Sequence, residues 1–324
     1  MLPFDPRTLN WAFAAAGTLV VIGIVFAGAS LGGPGIAGAL GFVLTLLAWR
    51  QEEILPRAPL LAFGLAGALT GWLAFLVSGN VPASALLLGV IAYLAALATF
   101  GSAGGKARWS LLALWALIAS ILANTERAPM VAVGFAVGFV LASALLIWGR
   151  DERVRSRDPM TLDVRTAVFG EPGRFALAKS VAVALSVPLG FAIFPDAPYW
   201  IALTVIIVAQ AGRDDTTRLA AQRAAGTLLG VLVGLAIVWL LPGDGLWLTV
   251  AFVSVIFCQM LFLNVNYLLY ALFLTALIVV GSALVDADVV DVGWQRLLAT
   301  LVGAAAAVTV VLAVRATSTG SEAN

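Results

Sequence analysis

The sequence predicts an all-α polytopic membrane protein with about 12 transmembrane helices. Apolar residues make up 62% of the 324-residue chain and charged residues only 11%, against about 45–50% and about 25% in a typical soluble domain. The apolar runs are also continuous, whereas a membrane β-barrel needs strands that alternate apolar and polar residues. Since backbone polar groups inside lipid must be paired within the chain, a helical bundle is the remaining architecture.

Charge-free stretches of the chain define the individual helices. Three of these stretches are longer than 40 residues, and one membrane crossing needs only about 20. Each long stretch contains a Gly, Pro or Asn break, at 28–35, 78–82 and 264–266, which predicts a helical hairpin. The other predicted helices are shorter and lie at 109–124, 128–148, 175–194, 198–211, 224–241 and 294–314.

The distribution of Lys and Arg predicts the orientation in the membrane. Under the twelve-helix scheme, one set of loops carries nearly all of the basic residues, whereas the opposite set carries Arg127 and several acids. Basic loops face the cytoplasm, so we expect the N- and C-termini to be cytoplasmic. Residues 1–7 make a poor signal peptide, because they hold one basic and one acidic residue before a long apolar segment.

The two halves of the chain show signs of an internal repeat. Pro34 and Pro198 each open a short apolar segment, which is followed by a mixed-charge loop and a glycine-spaced helix. Six helices return the chain to its starting side, so the halves are expected to be parallel repeats. We assign 1–149 to the first six-helix repeat, 150–173 to a charged cytoplasmic connector, 174–315 to the second repeat and 316–324 to a cytoplasmic tail.

Composition excludes several kinds of chemistry. Histidine is absent and Cys258 is the only cysteine, which removes His-based metal sites, Ser–His and Cys–His nucleophiles and an intrachain disulfide. The formal net charge is +1, so the chain lacks the basic footprint of a nucleic-acid-binding protein. We therefore expect no enzymatic activity, no catalytic residues, no cofactor, no metal and no nucleic-acid partner.

The short segment that opens at Pro198 is the first candidate for a functional site. Its 14 residues span about 21 Å, less than the hydrocarbon core of about 30 Å. Short segments at matching places in two halves indicate a transport site, although a tilted neighbour and a thinned bilayer would also accommodate them. Tyr199 and Trp200 open the segment and Gln210 lies near its end. Such aromatic residues suit an aromatic carboxylate, and they also form ordinary interfacial belts.

The pattern Gln-Arg-x-x-small-Thr-x-x-Gly occurs twice and is the second candidate. It starts at Gln222 and Arg223, and again at Gln295 and Arg296. Arg with Gln at a helix start offers several donors to a carboxylate, beside the positive end of the helix dipole. Alternatively, Arg223 is an interfacial anchor, and the glycines that follow it form a close-packing face.

Two basic residues do not fit the role of a loop cation. Lys179 lies inside a predicted helix, where an ionisable side chain is a functional candidate, and its alternative is to snorkel to the interface. Arg296 lies on the side where basic residues are scarce, and its alternative is to pair with Asp288 or Asp291. No Asp or Glu falls clearly inside a span, which weakens the case for proton coupling.

These motifs resemble those of the fusaric acid resistance protein-like (FUSC) family, which includes aromatic acid exporters. The match covers about residues 174–315, whereas the first half fits the architecture without the motifs. The resemblance is carried by the segments Pro198–Gln210 and Arg223–Gly230 and by Tyr267, Thr275, Arg296 and Gly303.

The resemblance implies a transporter that exports organic acids, aromatic carboxylic acids above all, across the bacterial inner membrane. Its partners would be a small organic anion, the lipid bilayer, and a periplasmic adaptor subunit or a second copy of the chain. Plant malate channels look distantly similar, so the alternative is a passive organic-anion channel on the same scaffold. The anion path would lie between the two repeats, with substrate-binding residues Lys179, Tyr199, Trp200, Gln210, Gln222, Arg223, Gln295 and Arg296.

Overall fold

Every regular element that the structure describes is a helix, which confirms the predicted all-α class. The structure, a computed structural model, describes residues 10–49, 57–100, 109–123, 128–148, 171–195, 197–209, 216–241, 245–263 and 265–319. Within these ranges the helices are α1 Trp11–Leu31, α2 Gly33–Trp49, α3 Arg57–Leu76, α4 Val81–Phe100, α5 Ser110–Leu122, α6 Ala128–Trp148, α7 Glu171–Ile193, α8 Trp200–Val208, α9 Thr216–Leu240, α10 Gly245–Phe262, α11 Tyr267–Ala283 and α12 Val289–Thr319.

Eight of the described helices are long and apolar enough to cross a membrane. Three others, α2, α5 and α11, are apolar but shorter, and α8 has only nine residues. Nine residues extend about 14 Å, half of a hydrocarbon core of about 30 Å. The chain is therefore a multi-pass membrane protein, and the arrangement with twelve crossings stays a prediction. The eight candidate spans are α1, α3, α4, α6, α7, α9, α10 and α12.

The predicted breaks lie where one helix ends and the next begins. Gly32 and Gly79 have positive φ angles of 66° and 78°, which glycine adopts without a steric penalty. Asn80 and Asn266 cap the N-termini of α4 and α11, because each side-chain oxygen accepts hydrogen bonds of 3.0–3.2 Å from backbone N–H groups two or three residues later. Local turn chemistry therefore sets these boundaries.

The helices group into two compact units. Unit 1 comprises residues 1–23 and 214–305, and unit 2 comprises residues 24–213 and 306–324. Unit 1 thus holds α9, α10, α11, the first part of α1 and most of α12, whereas unit 2 holds α2 to α8. The two six-helix repeats, with the boundaries given above, remain a prediction.

Glycines bring helices of unit 2 into close contact. A Cβ atom built on Gly38 of α2 would lie 3.3 Å from the carbonyl oxygen of Gly134 of α6. Gly64 and Gly67 of α3 face phenylalanine rings of α6, and the indole nitrogen of Trp115 of α5 donates to the Gly67 carbonyl at 2.8 Å. Small residues let helix backbones approach closely where no hydrophobic driving force exists.

Glycines also join α9 to α11 in unit 1. A Cβ atom built on Gly226 would lie 2.7 Å from the carbonyl oxygen of Leu268, and one built on Gly234 would lie 2.7 Å from the Cβ atom of Val279. Gly230, between them, faces the backbone of α11. These contacts support the interpretation of the three glycines as a close-packing face.

The glycine faces of α3 and α9 have partners at different places in the chain order. The glycines of α3 face α6, three helices later, whereas those of α9 face α11, two helices later. The two segments were expected to be equivalent under the internal repeat, which these contacts do not test and which remains a prediction.

Candidate functional site

Two arginine side chains are buried inside unit 1. Arg223 exposes 0% of its surface and Arg296 exposes 1%. Each is the eighth residue of its helix, Arg223 in α9 and Arg296 in α12, so the prediction that both lie at a helix start, beside the positive end of the dipole, is wrong. An interfacial anchor keeps its charged head in water, so the burial of Arg223 argues against that alternative.

Arg223 has no hydrogen-bond partner among the residues that the structure describes. Its three nitrogens, Nε, Nη1 and Nη2, are all buried and meet no acceptor. A guanidinium carries five N–H donors and keeps its charge, and leaving a buried charge without a partner costs about 3–5 kcal/mol. The side chain is therefore suited to bind an anion.

A pair of threonines joins the two arginine helices. The hydroxyl of Thr227 donates to the hydroxyl oxygen of Thr300 at 3.5 Å, and both side chains are buried. Each threonine follows its arginine by four residues, which places both on one helix face. The positive charges of Arg223 and Arg296 repel each other. The two Gln-Arg motifs thus meet, and their charges together favour an anion.

Helix α11 supplies further polar groups to this part of unit 1. Tyr267 and Tyr270 lie within electrostatic range of Arg296, and their ring centres are 6.1 Å apart. Thr275 is fully buried, and its hydroxyl has no hydrogen-bond partner in the described part of the chain. Aromatic rings and a hydroxyl beside two cations are groups that an aromatic carboxylate can contact.

The residues at the start of α12 are engaged with one another. The amide nitrogen of Gln295 donates to the Asp291 carboxylate at 2.6 Å. Asp288 caps the helix by accepting hydrogen bonds from the backbone N–H groups of Val290 and Asp291, at 2.9 and 3.1 Å. Both acids are exposed and have these local partners. Gln222, which precedes Arg223, is half-buried.

Lys179 lies in unit 2, where it contacts the end of α8. Its side chain is 6% exposed, and Nζ donates to the carbonyl oxygen of Ile206 at 3.2 Å. Ile206 belongs to the last turn of α8, whose carbonyls have no donors within the helix and form its negative end. Lys179 therefore stabilises the C-terminus of α8, and its burial argues against snorkelling.

The aromatic candidates also lie in unit 2. Tyr199 is buried, and its ring packs edge-on against Phe191 with centroids 5.6 Å apart. Trp200 begins α8 and is half-buried. Gln210 lies outside the described residues. The structure thus brings Arg223 and Arg296 together in unit 1 and places Lys179, Tyr199 and Trp200 in unit 2.

A buried glutamine was not predicted from the sequence. Gln259 of α10 is 5% exposed, and its side-chain oxygen meets no donor among the described residues. The signal that could have identified it is an amide within an otherwise apolar helix.

Comparison with known proteins relates this region to a described family. Residues 177–310 match a family model whose description is "fusaric acid resistance protein-like". The matched range contains both arginines, all of α8 to α11 and most of α7 and α12. Searches of curated proteins and of solved structures each found no match. The resemblance drawn from the sequence is confirmed over residues 177–310, which are similar to the fusaric acid resistance protein-like family.

Proposed function

We propose that this protein exports organic acids, aromatic carboxylic acids above all, across a bacterial inner membrane. The observation that carries the proposal is the burial of Arg223, whose three guanidinium nitrogens meet no acceptor and whose charge lies near that of Arg296. Guanidinium groups bind carboxylates through paired, charge-assisted hydrogen bonds. The helices that carry them, α9 and α12, are both candidate membrane spans.

The family match supports transport as the class of function. The twelve crossings, the two parallel repeats with an anion path between them, and the cytoplasmic termini belong to the same proposal, as does a periplasmic adaptor or a second copy of the chain as partner. Lys179 has a carbonyl partner in α8, so we assign the binding of the acid to Arg223 and Arg296 first.

A passive organic-anion channel is the second candidate. A proton-coupled pump normally has an ionisable acid or histidine on its path. The acids whose side chains are described, Asp286, Asp288 and Asp291, are all exposed, and histidine is absent from the sequence. This distribution favours transport that needs no proton carrier.

Flux measurements on purified protein in liposomes test the proposal. We expect Arg223→Ala and Arg296→Ala to slow the uptake of labelled 4-hydroxybenzoate about 10- to 150-fold at limiting concentration, because a hydrogen bond to a charged group is worth about 1.5–3 kcal/mol. Arg218→Ala is the matched control, since Arg218 is exposed on the same helix. Wild-type rates in both buried-arginine variants would contradict the proposed site.

The same liposomes distinguish the two candidates. An exporter driven by protons transports faster when a pH gradient is imposed at constant membrane potential. A channel instead gives a current that reverses at the equilibrium potential of the anion, whatever the pH gradient.

A further inference from the structure

We propose that the site formed by Arg223 and Arg296 holds an anion throughout the transport cycle, so that the protein exchanges one anion for another. This inference rests on the proposed function, since the anion that leaves must bind the same two arginines. It adds a counter-anion as a second substrate and makes the outward movement of one acid depend on the inward movement of another anion.

The first step concerns the charge of the site. Arg223 and Arg296 are both buried in unit 1 and repel each other. Buried Lys, Asp and Glu side chains can lower the cost of burial by becoming neutral, whereas arginine keeps its charge. Arg223 therefore cannot become neutral by releasing a proton, and its buried charge needs a compensating group.

The second step concerns the groups that could compensate this charge. The nitrogens of Arg223 meet no acceptor within the described ranges. The acids of unit 1 whose side chains the structure describes are exposed, at Asp286, Asp288 and Asp291. None of these described acids compensates the Arg223 charge, and a bound anion would do so by accepting several guanidinium hydrogen bonds at once.

The third step concerns access of water. Helix α9 contacts α11 at Gly226 and Gly230 with no space for a methyl group, and it contacts α12 through Thr227 and Thr300. Water therefore does not pass between the helices at these points to solvate Arg223. In the closed site a bound anion offsets the charge of Arg223. Without an anion, the closed site is less stable than the open one, because the Arg223 charge is then buried without compensation.

Exchange follows from this difference between the loaded and unloaded forms. A transporter must close its site before it opens to the other side, and only the loaded site closes readily. Release on one side is then followed by binding of another anion from that side. A ligand shifts a conformational equilibrium only by the difference between its affinities for the two conformations. Here the counter-anion is that ligand, and it binds the closed site more tightly than the open site.

Efflux from liposomes tests the inference directly. Vesicles are loaded with labelled 4-hydroxybenzoate, and equal K⁺ with valinomycin holds the membrane potential at zero. The outer medium contains either unlabelled 4-hydroxybenzoate or only potassium HEPES, and protein-free vesicles give the leak. We expect efflux to be at least tenfold faster with external 4-hydroxybenzoate. Equal protein-dependent rates would overturn exchange and leave the proposed function standing, whereas no protein-dependent flux in either medium would overturn both.

Two substitutions on α9 show whether Arg223 imposes the exchange. Arg223→Gln removes one buried charge, so the unloaded site closes more readily, and the residual flux should depend at least threefold less on external anion. Arg218→Gln, at an exposed position, should keep the wild-type ratio. If Arg223→Gln gives no flux, Arg296→Gln takes its place. A wild-type ratio in the buried-arginine variant would refute the role of the paired charges.

Discussion

A methyl group at position 226 would separate the helices that surround the arginine site. In Gly226→Ala, the new Cβ atom would lie 2.7 Å from both the Cβ atom of Ala271 and the carbonyl oxygen of Leu268. Non-bonded carbon atoms prefer about 3.5–4.0 Å, so the space is short by roughly 1 Å. A carbonyl and a Cβ atom cannot rotate away, and α9 must therefore move from α11.

The expected change in stability follows from two opposing terms. Overpacking a close contact costs about 1–3 kcal/mol, whereas replacing a helical glycine by alanine stabilises the helix by about 0.5–1 kcal/mol. We expect Gly226→Ala to lower the free energy of unfolding by about 1 kcal/mol, with about 2.5 kcal/mol as the upper end. Gly23→Ala on α1 is the control, since its Cβ atom would meet nothing within 4 Å and only the favourable term remains.

Unfolding in mixed detergent micelles, by titration with sodium dodecyl sulfate, measures both variants. Tryptophan fluorescence follows the transition, and circular dichroism confirms that the helices form before titration. The midpoint should fall for Gly226→Ala and stay level or rise for Gly23→Ala. If Gly226→Ala were as stable as Gly23→Ala, the close contact between α9 and α11 would be refuted, and with it the exclusion of water near Arg223.

Two further predictions concern helix ends. Lys179→Met should remove the donor to the Ile206 carbonyl and destabilise the protein by about 1–3 kcal/mol. Hydrogen exchange in α8 should become faster, and the affinity for 4-hydroxybenzoate should not change. Lys179→Arg is the control that keeps the charge, and a loss of affinity in Lys179→Met would instead place Lys179 at the substrate. Asn266→Ala should remove the cap of α11 at a cost of about 1 kcal/mol. The Leu268 and Leu269 amides should then exchange faster, whereas Asn266→Asp should preserve their protection. Unchanged exchange in Asn266→Ala would show that the cap is not formed in solution.

The helix boundaries at Gly32, Gly79 and Asn266 could be predicted from the sequence because their determinants are local. Helix α9 instead begins at Thr216, within the stretch that was predicted to be a loop. A glycine at a positive φ angle or an asparagine that accepts from its own helix start acts within a few residues. The predicted segment 198–211 was too long because no such local signal marks the end of the helix. Helix α8 ends at Val208, and Ala209 has a ψ angle of 88°, although this apolar stretch contains no breaker that would mark the end.

Packing partners could not be predicted, since they depend on contacts between distant parts of the chain. The sequence indicated glycine faces on α3 and α9. Nothing in the neighbouring residues shows that the partner of α3 is α6 and that the partner of α9 is α11. The same limit applies to the site. Lys179 was a candidate because of its charge, and its partner is the backbone carbonyl of Ile206. Because every residue has a backbone carbonyl, no sequence motif shows which one a lysine contacts.

The contact between Thr227 and Thr300 has a consequence for how the protein is made. These residues are separated by 73 positions in the chain, and two helices, α10 and α11, lie between their own. During synthesis, α9 and Arg223 therefore enter the membrane well before α12 and Arg296. Insertion scales assign about 2.5–3.5 kcal/mol to an arginine at a helix centre. Arg223 is the eighth residue of α9, so its cost is smaller, and the apolar residues of α9 must offset it alone at that stage. The second guanidinium joins the first only when the last helix of the bundle arrives, so assembly of the binding site is a late event in biogenesis.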